Sequence, residues 1–559
     1  MIDFNLDVDS LLDRKVWRAN RLCWGDIIER SCSSFGDKLA FIAGKGACGD
    51  ESNRELTYNQ ASAKVNQVGN ALQAAGLGRG DRVIYLGTNC VEAYLVSLGV
   101  NKAGMVHVPM IPHYTPDVMQ HVLALTKAKF VFVEAQTYPT VIDSLRAVGL
   151  EANVVIPVGA DLPADTQSFE AFINGHSTDE PEADIQPNDI CKILFTSGTT
   201  SLPKGAMISH LNLYFGNLSQ AMTATRGLDM EWQMVTLQPY PNFHIAGQSL
   251  TFLATQQGGT TVVLRAPDPE DMLENITKHK VTFTIGAPNI WYDMVDLCEA
   301  NPGRYSLQSM TIGLWAWATM LPDYAYRVKK LAPKIQMLAA NGQTEDCAVD
   351  QRFPIDLYPE KFATSSKEAK NFLGLAHPMR GSRLMSIGVD DEFVEPYEEG
   401  ERSMRSPSLM HGYYMDQENS RSSYTPKGWF RSGDAGYRDD EGLMVFNDRI
   451  KDVIKTGGEN VVSGRVEIIL KNHPDVAAAA VVGIPSRSWG EAVTAFVVAQ
   501  KPDKTLDLAE LRAFSKEGLA KFEVPKKIVQ VAELPETIGG KIQKFKLRKE
   551  YSELYNDES

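Results

Sequence analysis

Between Ile193 and His210 the chain reads ILFTSGTTSLPKGAMISH, with five hydroxyl residues, two glycines and a lysine in the ten positions from Thr196 to Gly205. Ile193, Leu194 and Phe195 form an apolar entry with strand character, and the segment after them has the composition of a phosphate loop. Glycine lets backbone N–H groups approach phosphate oxygens. Thr196, Ser197, Thr199 and Thr200 add hydroxyl donors around Gly198, and Lys204 adds a movable positive charge. This is not the Walker loop GxxxxGK[ST], because the lysine precedes its glycine and no Ser or Thr follows it directly. A flexible linker of similar composition would lack the strand-like entry and the fixed Pro203-Lys204-Gly205 exit. The chain must therefore build a strand that feeds a phosphate site.

The flanking sequence supplies the sheet that such a strand needs. LTYNQASAKVNQVGNALQAAGL, Leu56–Leu77, spaces apolar residues three and four apart and ends near Gly76, as a helix with a glycine stop does. RVIYLG, VEAYLVSLGVNKAG, VHVPMIP, Thr115–Thr126 and FVFVE then alternate strand and helix, the signature of a parallel α/β layer. The polar stretch Gly175–Asp189 is expected to connect two lobes. Beyond the loop, three further strand-to-helix units predict a second α/β layer, and KIQMLAANGQTEDC predicts a buried strand carrying Gln343, Thr344 and Glu345 at its end, where open sheets bind ligands. From Gly400 short strands and turns predict a small β-rich subdomain. From Lys451 a compact α/β module is expected, with a boundary near Ile450.

At 559 residues the chain exceeds what one hydrophobic core usually serves. A formal charge of -14 disfavours nonspecific attraction to nucleic acid or an anionic membrane face. No basic n-region with an apolar h-region opens the chain, so no signal peptide is expected, and no apolar run is long enough to span a bilayer. The seven cysteines are scattered without CxxC spacing, which argues against a disulfide framework and a zinc site and fits a cytoplasmic protein.

FTSGTTSLPKG, PNFHIAG, NGQTED, GWFRSGDAG, DRIKDVIKTGGENV and ETIGGKIQK occur along the chain in that order. In this set the chain resembles the adenylate-forming superfamily of acyl-CoA synthetases, peptide-synthetase adenylation domains and firefly-type luciferases, over nearly its whole length. The resemblance implies an α/β fold: residues 1–450 as a large AMP-binding domain of two sheet subdomains and a β-rich one, and residues 451–559 as a small mobile C-terminal domain. It implies ATP, Mg²⁺ and coenzyme A. Glu345 would ligate the metal together with Thr196, and Thr344 would contact the α-phosphate. Asp434 and Arg449 would hold the ribose, with Asn341, Gly342, Gln343 and Phe446 completing the nucleotide site, and Lys451 would be the hinge. Lys541 would carry an ammonium to the α-phosphate. Gly457 and Gly458 would line the pantetheine tunnel, His244 would gate it, and Trp489 would pack on the CoA nucleotide.

The chain departs from the family at three positions: Asn341 where an aromatic residue is common, Ser201 for a glycine, and Trp317 in LWAWATMLP for a glycine of the acid pocket. Asn289, Trp291 and Tyr292 are expected beside that pocket. The expected activity is an ATP-dependent carboxylate–CoA ligase. An adenylation enzyme serving a carrier protein, and a binding protein without turnover, are the rivals. The partners are a small carboxylic acid, ATP and CoA, with neither nucleic acid nor a membrane span. Whether a homodimer forms is left open by the sequence.

Overall fold

The computed structural model describes residues 21–159, 162–164, 166–196, 202–225, 233–368, 370–536 and 542–555. Its described residues form three sheets. In the first, of seven strands, Arg82–Leu86, Val106–Met110 and Phe130–Val133 run parallel. Ile190–Thr196 lies parallel beside Val106–Met110 and pairs antiparallel with the edge strand Lys204–Ser209.

Helix Tyr58–Ala74 starts where its sequence dictates. The Thr57 side chain accepts from the Gln60 N–H while Gln60 returns a bond to the Thr57 N–H, a reciprocal cap on two otherwise unsatisfied donors. The stretch 175–189 does not join lobes. It lies along this helix, where Asn66, Asn70 and Gln73 donate to the carbonyls of Thr178, Ser177, Asp179 and Glu182. Both ends of the stretch thus belong to the same seven-stranded lobe, because helix amides capture its backbone.

The second sheet has thirteen strands. Thr260–Val263, Val235–Gln238, Phe283–Gly286, Ile312–Trp315 and Gln336–Gln343 are parallel neighbours. Ala348–Pro354 then pairs antiparallel with Gln336–Gln343, and the β-rich region continues the same hydrogen-bonded sheet through Asn371–Ala376, Met444–Arg449 and Phe430–Arg438. The change from parallel to antiparallel falls at the turn Thr344–Asp346. Arg265 grips Glu134 with two bonds of 2.9 and 2.8 Å and ties this sheet to the first. The third sheet, of five strands, has its own core of Ile454, Val466, Leu470, Val481, Val493 and Val497.

Candidate active site

The strand Lys204–Ser209 is fastened by the segment after Pro407. Met207 donates to the Gly412 carbonyl, His411 to that of Met207 and Tyr414 to that of Gly205. This seats Tyr413 between two expected site residues. Its hydroxyl donates to Glu345 Oε1 at 3.0 Å, and the Lys204 ammonium lies 5.4 Å over its ring while donating to Asn419 Oδ1. Burial, then the Glu345 charge, raise the Tyr413 phenol well above its usual range, so it remains a donor. Thr196 Oγ1 donates to the Lys204 carbonyl at 3.3 Å. Ser197, Gly198, Thr199, Thr200 and Lys541 lie outside the described residues.

The turn that carries Thr344 and Glu345 rests on a buried ion pair. Arg380 Nη1 meets Asp346 Oδ2 at 2.7 Å and the Asp346 carbonyl at 3.0 Å, its Nε reaches Ser219 Oγ at 2.9 Å, and its Nη2 reaches the Gly216 carbonyl at 3.0 Å. Ser408 donates to the other Asp346 oxygen. Both charged side chains are essentially inaccessible, at 0% and 1%. Gln343, one residue before the turn, keeps a buried Nε2 with no partner among the described residues.

Asp434 and Arg449 face each other in register on antiparallel strands, with Arg449 Nε 3.3 Å from Asp434 Oδ1. The fully buried Arg402 holds Oδ2 at 2.9 Å. Asp434 thus has a guanidinium on each carboxylate oxygen.

Asp434 and Arg449 border a cavity of about 470 Å³, whose lining does not include Thr196, Lys204, Gln343, Thr344 or Glu345. Asn341, Gly342, Asp434, Phe446 and Arg449 line it, and so do Arg465, Glu467 and Lys544 from the C-terminal region. Burial alone would lower the Lys544 ammonium, but Glu467, 2.8 Å away, and Asp448 outweigh it, so its pKa is raised and it stays charged. Trp317 also lines the cavity and is not core: it is 37% exposed, with its ring centroid 4.6 Å from that of Tyr240. Its neighbours Ala316, Ala318 and Thr319 continue that wall.

Asn289, Trp291 and Tyr292 do not line the cavity. Trp291 is fully buried, donating to the Leu314 carbonyl at 2.9 Å, because the small Gly286 and Gly313 leave room for its indole beneath the sheet. His244 caps helix Ile245–Gln256 against Phe243, and burial pushes its imidazole down to about 4, so it is neutral near pH 7. Gly457, Gly458 and Trp489 also lie off the cavity lining. The two glycines sit at φ 58° and 88°, and Trp489 covers the turn while Lys526 lies 3.9 Å from its ring.

Tyr413, Arg380, Arg402 and Asn419 carry no mark in the sequence that singles them out, and Asp346, though it closes the NGQTED motif, is given no role by it. Tyr413 stands among the short strands and turns that begin at Gly400, and nothing local makes it a neighbour of Glu345. Asp434 and Arg402 are separated by 32 positions and Asp346 and Arg380 by 34, beyond any local spacing rule.

A profile of the AMP-binding enzyme family matches residues 28–414, and one of the AMP-binding enzyme C-terminal domain matches residues 465–541. The chain is 31% identical over 508 residues to the fatty acid–[acyl-carrier-protein] ligase ScoC of Streptomyces coeruleorubidus, covering 89% of this chain and 91% of that protein. It is 30% identical over 543 residues to a long-chain-fatty-acid–CoA ligase of Thermus thermophilus, covering 95% and 96%. Among solved structures, ATP-bound MatB from Rhodopseudomonas palustris superposes with a TM-score of 0.80 at 25% identity, over 95% of this chain and 99% of that one.

Proposed function

The chain belongs to the AMP-binding enzyme family and is an ATP-dependent ligase that forms an acyl-adenylate and then an acyl-CoA thioester, and we propose the part each of its residues takes. The reading rests above all on the cavity, in which the Asp434–Arg449 pair, an apolar wall and the C-terminal Lys544 and Glu467 share one space.

Asp434, held by Arg402 on one oxygen, keeps lone pairs for the two ribose hydroxyls, and Arg449 supports it. Thr196, Ser197, Gly198, Thr199, Thr200 and Lys204 hold the β- and γ-phosphates, and Thr344 contacts the α-phosphate. Asn341, Gly342, Gln343 and Phe446 border the base and sugar. Glu345 and Thr196 are the residues that would hold Mg²⁺. Glu345 is half-buried, accepts one bond from Tyr413 and pairs with no cation among the described residues, which suits a hard divalent ion. When bound, that ion neutralises phosphate charge. An oxygen of the substrate carboxylate attacks the α-phosphorus. The new P–O bond forms as the bond to pyrophosphate breaks in line, and Lys541 offsets the charge that develops.

For the second step the C-terminal domain, beginning near residue 450, turns about Lys451, withdraws Lys541 and brings Gly457 and Gly458 to the site. The thiol of CoA gives up its proton, its sulfur attacks the acyl carbon, and AMP departs with the bonding pair. His244, neutral, borders the path of the thin pantetheine arm, and Trp489 packs on the CoA nucleotide. The acid's body is apolar, as the names of the fatty-acid relatives suggest. Each of the seven cysteines is a free thiol, which fits a reducing cytoplasm. Separately, no helix among the described residues is long and apolar enough to cross a membrane.

One observation favours a second acceptor, since ScoC is named as a carrier-protein ligase. ATP–pyrophosphate exchange with a panel of acids, followed by thioester detection with CoA and with a holo-carrier protein, separates the two. Exchange with a CoA thioester is expected; no exchange with any acid refutes the reading. Lys541→Ala is expected to lose exchange yet to make thioester from supplied adenylate. Unchanged exchange removes the proposed role of Lys541.

A further inference from the structure

Helix His210–Thr225 turns a polar face inward, with Asn212, Asn217, Ser219 and Gln220 all buried. Three of them donate to the protein, although the Asn217 Oδ1 has no partner among the described residues. Asn212 donates to the Pro407 carbonyl at 2.8 Å, Asn217 to that of Leu213 at 3.0 Å, and Ser219 to that of Gly216 at 2.8 Å.

Gln220 differs. It is 2% exposed, its Nε2 is buried without a partner, and its side chain makes no hydrogen bond with any described residue. It also lines the cavity, beside Ile245, Ile285, Leu314 and Ala340. A carboxamide taken out of water without a hydrogen bond is unfavourable, so such a group on a cavity wall fits a ligand that supplies one. By turning about its last bond, the amide offers either an acceptor to a hydroxyl or a donor to a carbonyl. Trp317 shares this cavity, its indole tilted 48° against Tyr240. Ile245, Ile285, Leu314 and Ala340 on the same lining offer no side-chain hydrogen bond to such an oxygen.

We propose that the acid this enzyme activates carries an oxygen function, a ketone or a hydroxyl, on an otherwise apolar body, and that Gln220 is the residue that selects it. The proposal rests on the ligase reading. Trp317, backed by the buried Tyr240, supplies an aromatic wall for the body of the acid. A plain fatty acid would leave the Gln220 amide buried and unpaired, and a site built around a polar group discriminates against analogues lacking that group far more strongly than an apolar pocket discriminates by size.

The test compares matched acids in ATP–pyrophosphate exchange: octanoate against 4-, 5-, 6- and 7-oxo-octanoate, and 3-cyclohexylpropanoate against 3-(4-oxocyclohexyl)propanoate. In the wild-type enzyme at least one oxo acid is expected to exceed its parent in kcat/KM by about tenfold or more. Gln220→Leu is expected to abolish that preference, the oxo acid losing about tenfold or the parent acid gaining it, with the KM for ATP within about twofold. Wild-type enzyme that uses the parent acids as well as every oxo acid overturns this inference and leaves the ligase reading standing. A preference that survives Gln220→Leu overturns the role of Gln220, as does a variant whose only change is a raised KM for ATP. No exchange with any of these acids overturns the inference, and the ligase reading falls with it only if the wider acid panel also gives none. Should Gln220→Leu fail to fold, Gln220→Met and the wild-type comparison carry the test.

Discussion

Removing the charge of Asp346 is expected to damage stability and catalysis together, whereas removing that of its neighbour Glu345 is expected to damage catalysis alone. Asp346 and Arg380 meet at 2.7 Å with both side chains out of solvent. At an effective dielectric of about 20, two charges at that distance attract by about 6 kcal/mol, and desolvation opposes most of this. The pair therefore adds little net stability. Breaking it does cost, because Asp346→Asn leaves the Arg380 guanidinium buried and uncompensated, at about 3–5 kcal/mol. Arg380 also reaches Ser219 and the Gly216 carbonyl. Its displacement would loosen the seat of the Thr344–Asp346 turn on helix His210–Thr225 and move Glu345. Urea unfolding and initial rates of ATP–pyrophosphate exchange measure the two effects. Asp346→Asn should lose both; Glu345→Gln should unfold within about 0.5 kcal/mol of wild type and lose about a hundredfold in exchange rate. The reasoning is refuted if Asp346→Asn unfolds at the wild-type urea concentration, or if it loses stability while exchanging at the wild-type rate.

Asp434→Ala should reduce kcat/KM for ATP by about 10–100-fold, the worth of hydrogen bonds to a charged acceptor, and should erase discrimination between ATP and 2′-deoxy-ATP. A variant that keeps this discrimination dissociates Asp434 from the ribose. Acid stability should depend on His210, whose Nδ1 accepts the Trp24 N–H at 2.9 Å and whose imidazole burial pushes down to about 3. The folded pKa lies below the unfolded value of about 6.5, so the associated stability is complete above about pH 6.5 and is lost as pH falls toward 3. Linkage gives a loss of about 2 kcal/mol between pH 7 and pH 5. His210→Gln, which can still accept the Trp24 N–H, should lose less stability than wild type over that interval by about this amount; equal losses in urea titrations at the two pH values reject the assignment.

What the sequence made legible was chemistry carried by neighbours in the chain. The strand Ile190–Thr196 follows from an apolar entry, whereas its antiparallel return Lys204–Ser209 is seen only in the structure. Asp434 and Arg449 sit in separate motifs that a hairpin brings into register. The supports of those residues were illegible for a physical reason. Asp346, Arg380 and Arg402 carry charges that composition assigns to the surface, and only tertiary closure takes them to exposures of 0% and 1%. The stretch 175–189 looks like a linker because it is polar and rich in Pro, yet polarity is also what the amides of helix Tyr58–Ala74 capture. Gln220 reads as an ordinary polar residue of an amphipathic helix, and its meaning lies in a partner it lacks.

Trp317 joins the two kinds of evidence. The sequence marks it as a bulky residue where relatives commonly have glycine, and the backbone there keeps φ at 71°, the left-handed region in which glycine is comfortable. For a side chain such as tryptophan that conformation costs on the order of 1–2 kcal/mol. Burial offers modest return, because more than a third of the indole is exposed and its closest ring contact is Tyr240. A strained, partly exposed aromatic on a cavity wall is more economically understood through what occupies the cavity than through the stability of the empty fold. The same logic applies to the Gln220 amide, which lines the same cavity and has no partner among the described residues: each residue is poorly satisfied by the protein alone, and one bound acid with a polar atom on an apolar body satisfies both.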